Sequence, residues 1–286
     1  MSKLIYSEKL VNKIKKPIVV LDLNTNALVV LNKLKEVLPN ENIIHINDLE
    51  RTTYEVEDKD MILDIDGITS GIKRLLERVK KYDPKLIVVA SDAIIEYGKE
   101  LIEGLNIPYI LITDVIIEEI NKNYEFKNMA FFATQGIIEA NLYQKNFHYT
   151  RLYNLNADNI LDSIRNYKMK TSDSFNQMKV ALFPLYQKDV DVIIPSIPNI
   201  LMFKTEIFEY VMEENPSVVI LPVDKLLADK ALSVLSGNLN PKKTKNPVYL
   251  VRKLDKENKN LKQVEKDARK LYDKALSVKY RFIYEE

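Results

Sequence analysis

The sequence predicts an α/β fold with parallel sheets, and three observations carry this prediction. Short runs rich in β-branched residues recur along the chain, each bounded by turn residues. Longer segments of helical period follow most of these runs, as in βαβ units. Most predicted strands end in a polar or acidic residue, which is where open α/β sheets place ligand-binding groups. The 286 residues suit one large domain or two of typical size, and we expect two.

The elements follow from these periodicities in chain order. The predicted strands are residues 17–24, 42–48, 85–92, 107–114, 128–135, 149–156, 191–196, 217–224 and 247–252. The predicted helices are residues 27–38, 67–82, 94–105, 136–146, 157–167, 173–187, 198–214, 225–235 and 257–278. In the first helix, Leu28, Leu31, Leu34 and Leu38 form one apolar face. Residues 237–247, rich in Asn, Lys and Pro, are the clearest loop.

Composition excludes several kinds of chemistry. The chain contains no cysteine and only two isolated histidines, His45 and His148, which excludes thiol nucleophiles, disulfides and the usual Cys/His zinc sites. A hard-metal site built from carboxylates stays open on composition alone. His45 falls inside a predicted strand and His148 in a connection, so neither is assigned a catalytic role. No apolar run is long enough to cross a bilayer and residues 1–16 lack the features of a signal peptide, so we expect a cytoplasmic protein.

The net charge of +1 is unevenly distributed. Residues 242–281 hold 14 Lys/Arg and 5 Asp/Glu, which leaves 28 Lys/Arg and 36 Asp/Glu on the rest of the chain. Within this basic tail, apolar residues recur every three or four positions over 257–278, which is typical of a helix packed on the body with a solvated outer face. A nucleic-acid surface is the alternative because phosphates attract clustered lysines, but no DNA-binding motif is present and aromatic residues are sparse there.

Several motifs, in order, resemble those of the glutamate racemases, which invert an amino acid's Cα with two cysteine thiols and no cofactor. That family has a strand ending in Asp-Ser-Gly, then Leu-Pro-Asn-Glu, Gly-Asp, an arginine and Pro-Tyr-Gly. This chain has a strand ending in Asp22-Leu23-Asn24, then Leu-Pro-Asn-Glu at 38–41, Asn-Asp at 47–48, Arg51, and Thr-Tyr-Glu at 53–55. The resemblance covers roughly residues 17–235.

The catalytic motifs of the family are present in altered form. Its Ala-Cys-Asn-Thr is similar to Ala-Ser-Asp-Ala at 90–93, so Ser91 stands at the first thiol position. Its Ala-Thr-Glu-Gly-Thr is similar to Ala-Thr-Gln-Gly-Ile at 133–137, with Tyr143 downstream as in the family. Its second cysteine motif is similar to residues 219–227, which puts Pro222 or Val223 at the second thiol position.

The resemblance implies a fold and a domain organisation. We expect two similar parallel-sheet α/β domains that face each other across a crevice, as in Asp/Glu racemases. The first is expected to combine residues 1–113 and 213–286, with residues 114–212 inserted as the second. The resemblance also implies that the chain uses no cofactor and that a homodimer is to be considered.

The altered motifs predict a protein that has kept the fold and lost the reaction. Two-base racemisation needs a group with an accessible pKa on each side of Cα. A serine hydroxyl needs its own neighbouring base, and no histidine lies in any of these motifs. The degenerate catalytic positions are Asp22, Ser91, Asp92, Val223, Asp224 and Lys225; the candidate ligand-binding positions are Asn24, Tyr54, Glu55, Thr134, Gln135 and Gly136. We therefore expect a binding, regulatory or structural role.

Three alternatives stay open. Asp22, Ser91 and Asp92 on one side and Asp224 or Lys225 on the other could act as substitute bases in an amino-acid racemase or isomerase. The acids Asp22, Glu55, Asp92, Asp114 and Asp224 at predicted strand ends could bind a small amine or amino-acid ligand, with pKa values driven apart by mutual repulsion. The simpler interpretation is that these acids cap helices and solvated loops. The basic tail could bind nucleic acid or a DNA-associated protein, and no membrane partner is expected.

Overall fold

The computed structural model describes residues 4–5, 14–22, 26–47, 65–212, 215–241, 247–253 and 261–285. These residues form two sheets in which every strand pair is parallel. Parallel strands carry helices on both faces and are buried on both sides, which explains why the strands Ile18–Leu21, Ile43–Ile46 and Leu86–Val89 consist of apolar residues almost without interruption. The predicted α/β fold is confirmed.

The strands are numbered along the chain. They are β1 Leu4–Ile5, β2 Ile18–Leu21, β3 Ile43–Ile46, β4 Leu86–Val89, β5 Tyr109–Leu111, β6 Lys127–Ala133, β7 Tyr149–Asn156, β8 Val192–Pro195, β9 Val219–Ile220, β10 Val248–Lys253 and β11 Tyr280–Glu285. The first sheet has the order β1-β11-β10-β3-β2-β4-β5, and the second has the order β7-β6-β8-β9. We call the two parts of the molecule built on these sheets the first lobe and the second lobe.

The described helices lie between these strands. They are α1 Leu28–Val37, α2 Ile65–Lys80, α3 Asp92–Glu103, α4 Ile112–Asn123, α5 Gln135–Ala140, α6 Asp158–Arg165, α7 Ser172–Leu182, α8 Lys204–Met212, α9 Val223–Val234 and α10 Leu261–Ala275. Short 3₁₀ turns occupy Gln144–Asn146, Phe183–Leu185 and Pro198–Phe203. Of the helices within the described ranges, none combines the length and apolar character that crossing a bilayer requires.

Several elements differ from the sequence prediction. The strand predicted over 217–224 is observed only at Val219–Ile220, and Asp224 lies in the first turn of the helix that follows. The β-branched run predicted as one strand over 107–114 ends as a strand at Leu111, and α4 begins at the next residue. Asp114 therefore lies in the first turn of a helix and is exposed, rather than at a strand end. The helix predicted over 136–146 stops at Ala140, because Asn141 adopts a left-handed conformation with φ of 54°.

The first sheet is completed by strands from both ends of the chain. β11, which was not predicted, pairs with β10 on one side and with β1 on the other. Glu285 at the end of β11 accepts hydrogen bonds from Tyr82 (2.7 Å) and Arg78 Nε (2.6 Å). The C-terminal strand is thereby tied to the end of α2.

Sheet membership differs from the expected domain boundary at one point. β5 belongs to the first sheet and β6 to the second, which agrees with a boundary near residue 113. Val219–Ile220, expected in the first domain, pairs instead with β8 of the second sheet. The next helix, α9, packs on α1 and α4, so the chain re-enters the first lobe after β9 rather than at residue 213. The division into two folding domains stays a prediction.

Candidate functional site

The carboxyl ends of the two sheets approach each other. In the first lobe, Asp22 and Ser91 follow the neighbouring strands β2 and β4, and the amide of Ala90 donates to the carbonyl of Leu21 at 2.8 Å. The 3₁₀ turn after β8 in the second lobe reaches the start of α1. There the backbone N–H of the fully buried Asn199 donates to the carbonyl of Asn26 (2.8 Å).

Asn199 binds this segment a second time. Its Oδ1 accepts a hydrogen bond from the amide of Val29 at 3.2 Å. Strand ends of parallel sheets are where open α/β folds bind ligands, so this junction is the candidate site.

Ser91, at the first thiol position, is almost enclosed. It precedes α3 in an extended conformation, its carbonyl accepts from the amide of Ile95, and its side chain makes no capping hydrogen bond. Only 9% of the residue is exposed. Within the described ranges, no histidine, lysine or carboxylate is hydrogen-bonded to its hydroxyl. A serine without a neighbouring base remains a neutral alcohol near neutral pH.

Asp92 is bound to the second lobe. Its Oδ1 accepts a hydrogen bond from the hydroxyl of Tyr143, and both residues are buried. Burial raises the pKa of Asp92 to about 7, and the Tyr143 hydrogen bond opposes that rise. Burial and the adjacent carboxyl hold the pKa of Tyr143 well above its usual value. Tyr143 packs on Phe131 of β6 and on Phe147, so the phenol that holds Asp92 belongs to the core of the second lobe.

Asp22 closes the first βα turn and contacts a histidine. Its Oδ2 accepts from the amide of Ala27 at 2.8 Å and lies 3.4 Å from Nε2 of His45. Both side chains are buried. Asp22 Oδ1 and His45 Nδ1 have no hydrogen-bond partner in the described part of the chain. His45 thus belongs to the polar edge of the sheet, which its place inside an apolar strand did not reveal.

The second thiol position offers no acid or base. Val223 is fully buried at the start of α9, and its amide donates to the Leu221 carbonyl. Asp224 lies in the first turn of α9, where a carboxylate favours the helix N-terminus. Lys225 is exposed and forms an ion pair with Asp229 one turn along the same helix. Asp224 and Lys225 therefore have local helical roles.

The predicted ligand-binding residues divide into described and undescribed positions. Thr134 caps α5 by accepting from the amide of Ile137, and Gln135 donates its side-chain amide to Glu139 at 2.7 Å. Gly136 is exposed in the first turn of that helix. Asn24, Tyr54 and Glu55 lie outside the described residues.

Sequence reasoning missed two residues that join the lobes. Tyr143 was noted only as a family position, and Asn199 was not singled out. Asn199 follows Pro198 at the start of a short 3₁₀ turn, and nothing in its local pattern predicts burial. Burying an asparagine side chain costs free energy unless its polar atoms are hydrogen-bonded. The partners of Asn199 at the start of α1 belong to the other lobe, so these contacts form only where the two lobes meet.

Two observations describe the acid–base and metal-binding groups of the site. Asp92, whose pKa lies near neutral pH, already accepts from Tyr143. Among the described residues, no three His, Asp or Glu side chains gather closely enough to hold a metal ion.

Comparisons with known proteins show similarity to glutamate racemases. No protein-family model matches the chain. A curated glutamate racemase from Shewanella piezotolerans is 23% identical over 239 residues, which cover 81% of this chain and 85% of that protein.

Solved structures of similar proteins share the whole architecture. The glutamate racemase isoform RacE1 from Bacillus anthracis superposes with a TM-score of 0.73 at 20% identity, over 94% of this chain and 97% of that one. The glutamate racemase from Francisella tularensis, solved with D-glutamate, gives 0.70 at 17% identity, over 94% and 96% of the two chains. The comparisons confirm the resemblance to the glutamate racemases that the motifs indicate, and they show that this cysteine-free chain has the Asp/Glu racemase fold.

Proposed function

We propose that the chain is a glutamate-racemase-like protein without racemase activity, which acts through binding or as a structural or regulatory component. One observation carries the proposal: neither position that matches a catalytic thiol presents a group able to exchange a proton with carbon. On one side stands Ser91, whose hydroxyl is hydrogen-bonded to no basic side chain among the described residues. On the other side stands Pro222 or the buried Val223.

The alternative, a racemase with substitute bases, draws support from Asp92 alone. A carboxyl with a pKa of about 7 is suited to general acid–base work near neutral pH. Racemisation also needs a second group on the opposite face of Cα. Asp224 and Lys225, the residues predicted for that role, serve the first turn of α9 and an ion pair with Asp229. One base without the other can remove a proton but cannot return it to the other face.

The basic tail supports a structural interpretation. Leu271, Tyr272 and Ala275 of α10 are buried, and the carbonyl of Ala275 accepts from Asn32 of α1 at 2.8 Å. Lys274 donates to the carbonyl of Tyr167 in the second lobe at 3.0 Å. Part of the positive charge of this segment is thus used within the molecule, and nothing in the described part of the fold favours nucleic acid.

Hydrogen exchange at Cα tests the proposal. The purified chain is incubated in deuterated water with L- or D-glutamate or aspartate, and the Cα proton signal is followed by NMR. We expect neither loss of signal beyond the protein-free rate nor formation of the opposite enantiomer, and protein-dependent inversion at Cα would refute the proposal.

Two further measurements test whether the site can still support exchange at Cα and whether it binds a ligand. The variant Ser91→Cys/Val223→Cys places a thiol at both matched positions. Exchange by this variant alone would show that the missing thiols account for the inactivity. Thermal shift with amino acids and with polyamines then separates a ligand-binding role, which raises the unfolding temperature, from a purely structural one, which leaves it unchanged.

A further inference from the structure

The second lobe has a hollow at the edge of its sheet opposite the candidate site. The hollow lies between α7 and α8 and has a volume of about 420 Å³, which is within the range of small-molecule sites. Val190 and Val218, which line it, come just before β8 and β9, so it lies at the amino ends of these strands. The candidate site lies at the carboxyl ends, and a ligand in the hollow would therefore occupy a different place. We call this feature the α7–α8 hollow.

The interior of the α7–α8 hollow is apolar. Five buried aliphatic side chains line it: Leu185, Val190, Ile193, Val211 and Val218. Two aromatic residues, Phe175 and Tyr186, also line it and are 38% and 53% exposed, so their rings lie nearer its mouth. Small-molecule sites typically combine an apolar and aromatic lining of this kind with a few polar groups that fix the orientation of the ligand.

The wall of the α7–α8 hollow carries charged side chains of both signs. Lys179 belongs to α7, Lys188 follows the 3₁₀ turn at Phe183–Leu185, and Glu209 belongs to α8. Among the residues that the structure describes, none of these three side chains forms an ion pair. The ammonium group of Lys179 lies instead over the ring of Phe175, 4.6 Å from its centroid. The hollow thus offers two ammonium groups and one carboxylate to a ligand.

This combination of charges indicates the class of ligand. A simple carboxylate would meet Glu209 as a like charge, and a simple amine would meet the two lysines as like charges. A zwitterion that carries a carboxylate and an ammonium group on one carbon can form charge-assisted hydrogen bonds with both. An aromatic group on the same carbon would fill the apolar interior and pack against the rings of Phe175 and Tyr186.

We propose that the α7–α8 hollow binds a free aromatic α-amino acid, such as tryptophan. The carboxylate of the ligand pairs with Lys179 or Lys188, and its ammonium group pairs with Glu209. Its ring lies against the buried aliphatic side chains. This site is independent of the function proposed above, because no residue of the crevice between the lobes contributes to it.

The absence of tryptophan from this chain allows a direct test. The purified full chain is titrated into L-tryptophan, and the indole fluorescence is recorded with excitation that tyrosine hardly absorbs. We expect saturable binding with a dissociation constant of roughly 0.1–1 mM, the range for a ligand of about fifteen non-hydrogen atoms.

Three probes each lack one group of the ligand. Indole-3-propionate lacks the ammonium group, tryptamine lacks the carboxylate, and L-alanine, measured by competition, lacks the ring. Each should bind about tenfold more weakly than L-tryptophan or less tightly still, because each leaves one part of the hollow without its partner.

Substitutions in the wall locate the bound ligand. Glu209→Gln and the double variant Lys179→Gln/Lys188→Gln should each raise the dissociation constant of L-tryptophan about tenfold, because each removes the charge that pairs with one end of the ligand. All three residues are exposed, so these variants should fold. Lys80→Gln and Glu77→Gln, which break an exposed ion pair on α2 in the first lobe, are the matched controls and should leave it unchanged.

The outcomes separate this site from binding elsewhere. Saturable binding that needs all three groups of the ligand and that both wall variants weaken supports the proposal. A lack of saturation overturns it. Binding that the wall variants do not change also overturns it, because the ligand must then lie at another place, such as the crevice between the lobes. Indole-3-propionate or tryptamine binding as tightly as L-tryptophan would likewise overturn it. Racemase activity is tested separately by exchange at Cα, so the two proposals can fail independently.

Discussion

Replacing Asp92 with asparagine should remove a pH-dependent loss of stability. The buried carboxyl has a pKa of about 7 in the folded protein, against about 3.9 for an aspartate in an unfolded chain. Because the folded pKa is the higher one, the folded state holds a proton that the unfolded state has released. The free energy of unfolding therefore falls as the pH rises through this window and levels off above about pH 7.

The magnitude follows from the width of the window. Each pH unit between the two pKa values costs about 1.4 kcal/mol, so the wild-type chain should lose roughly 3 kcal/mol between about pH 5 and about pH 8 through this one group. The asparagine side chain of the Asp92→Asn variant cannot titrate, and its amide oxygen can still accept the hydrogen bond from Tyr143. The stability difference between Asp92→Asn and the wild type should thus grow by roughly 3 kcal/mol over that range.

Urea unfolding at a series of pH values measures this difference. The chain has no tryptophan and 16 tyrosines, so tyrosine fluorescence and far-UV circular dichroism are the probes, and their coincidence checks that the transition is two-state. Asp114→Asn is the matched control, because Asp114 is exposed in the first turn of α4 and should change stability by no more than about 0.5 kcal/mol. A difference between Asp92→Asn and the wild type that stays constant with pH would refute the reasoning.

Two further substitutions test the packing and the buried charge of the first lobe. A Cβ at Gly98 of α3 would lie 2.7 Å from Cγ2 of Ile72 in α2, so Gly98→Ala should lower the free energy of unfolding by about 1–3 kcal/mol. Gly136→Ala is the control, because a Cβ there has no neighbouring atom within 4 Å and should not lower the free energy of unfolding. Glu41 and Lys85 form a buried ion pair (2.7 Å), and Lys85→Ala, which removes the cation of this pair, should lower the free energy of unfolding by about 3 kcal/mol. Lys16→Ala breaks an exposed ion pair with Asp83 and should lower it by less than about 1 kcal/mol. Urea unfolding reports both comparisons, and equal effects of a substitution and its control would contradict the assigned contacts.

Local sequence patterns predicted the strands well where the strand is buried on both faces. The predicted strands that became β2, β3 and β4 contain the observed residues with one to three extra at the ends. The prediction at 149–156 also matches β7, although this edge strand is mostly exposed. The same signal failed at residues 107–114, because β-branched residues continue from β5 into α4 and propensity alone cannot locate the change. β11 was missed because its residues follow a long basic helix and β1, one of its partners, lies at the other end of the chain.

The candidate site shows a similar division between local and distant information. The sequence placed Ser91, Asp92 and Val223 in the last residues of predicted strands, whereas Ser91 is the N-cap of α3, Asp92 is its first residue and Val223 begins α9. The sequence did not predict the hydrogen-bond partners of these residues, because Tyr143, the partner of Asp92, is 51 positions away and belongs to the other lobe. The predicted cluster of strand-end acids was wrong for Asp114 and Asp224, which lie in the first turns of α4 and α9, and Glu55 lies outside the described residues.

The amino-acid order alone determined that this protein is an α/β chain with parallel strands and no thiol chemistry, because periodicity and residue type are local properties. Only the tertiary structure decided which polar groups are buried away from water and which protein groups become their hydrogen-bond partners. The pKa of Asp92 and the burial of Asn199 both arise from contacts between segments that are distant in sequence. Desolvation and short-range electrostatics depend on those neighbours in space, and no local pattern encodes them.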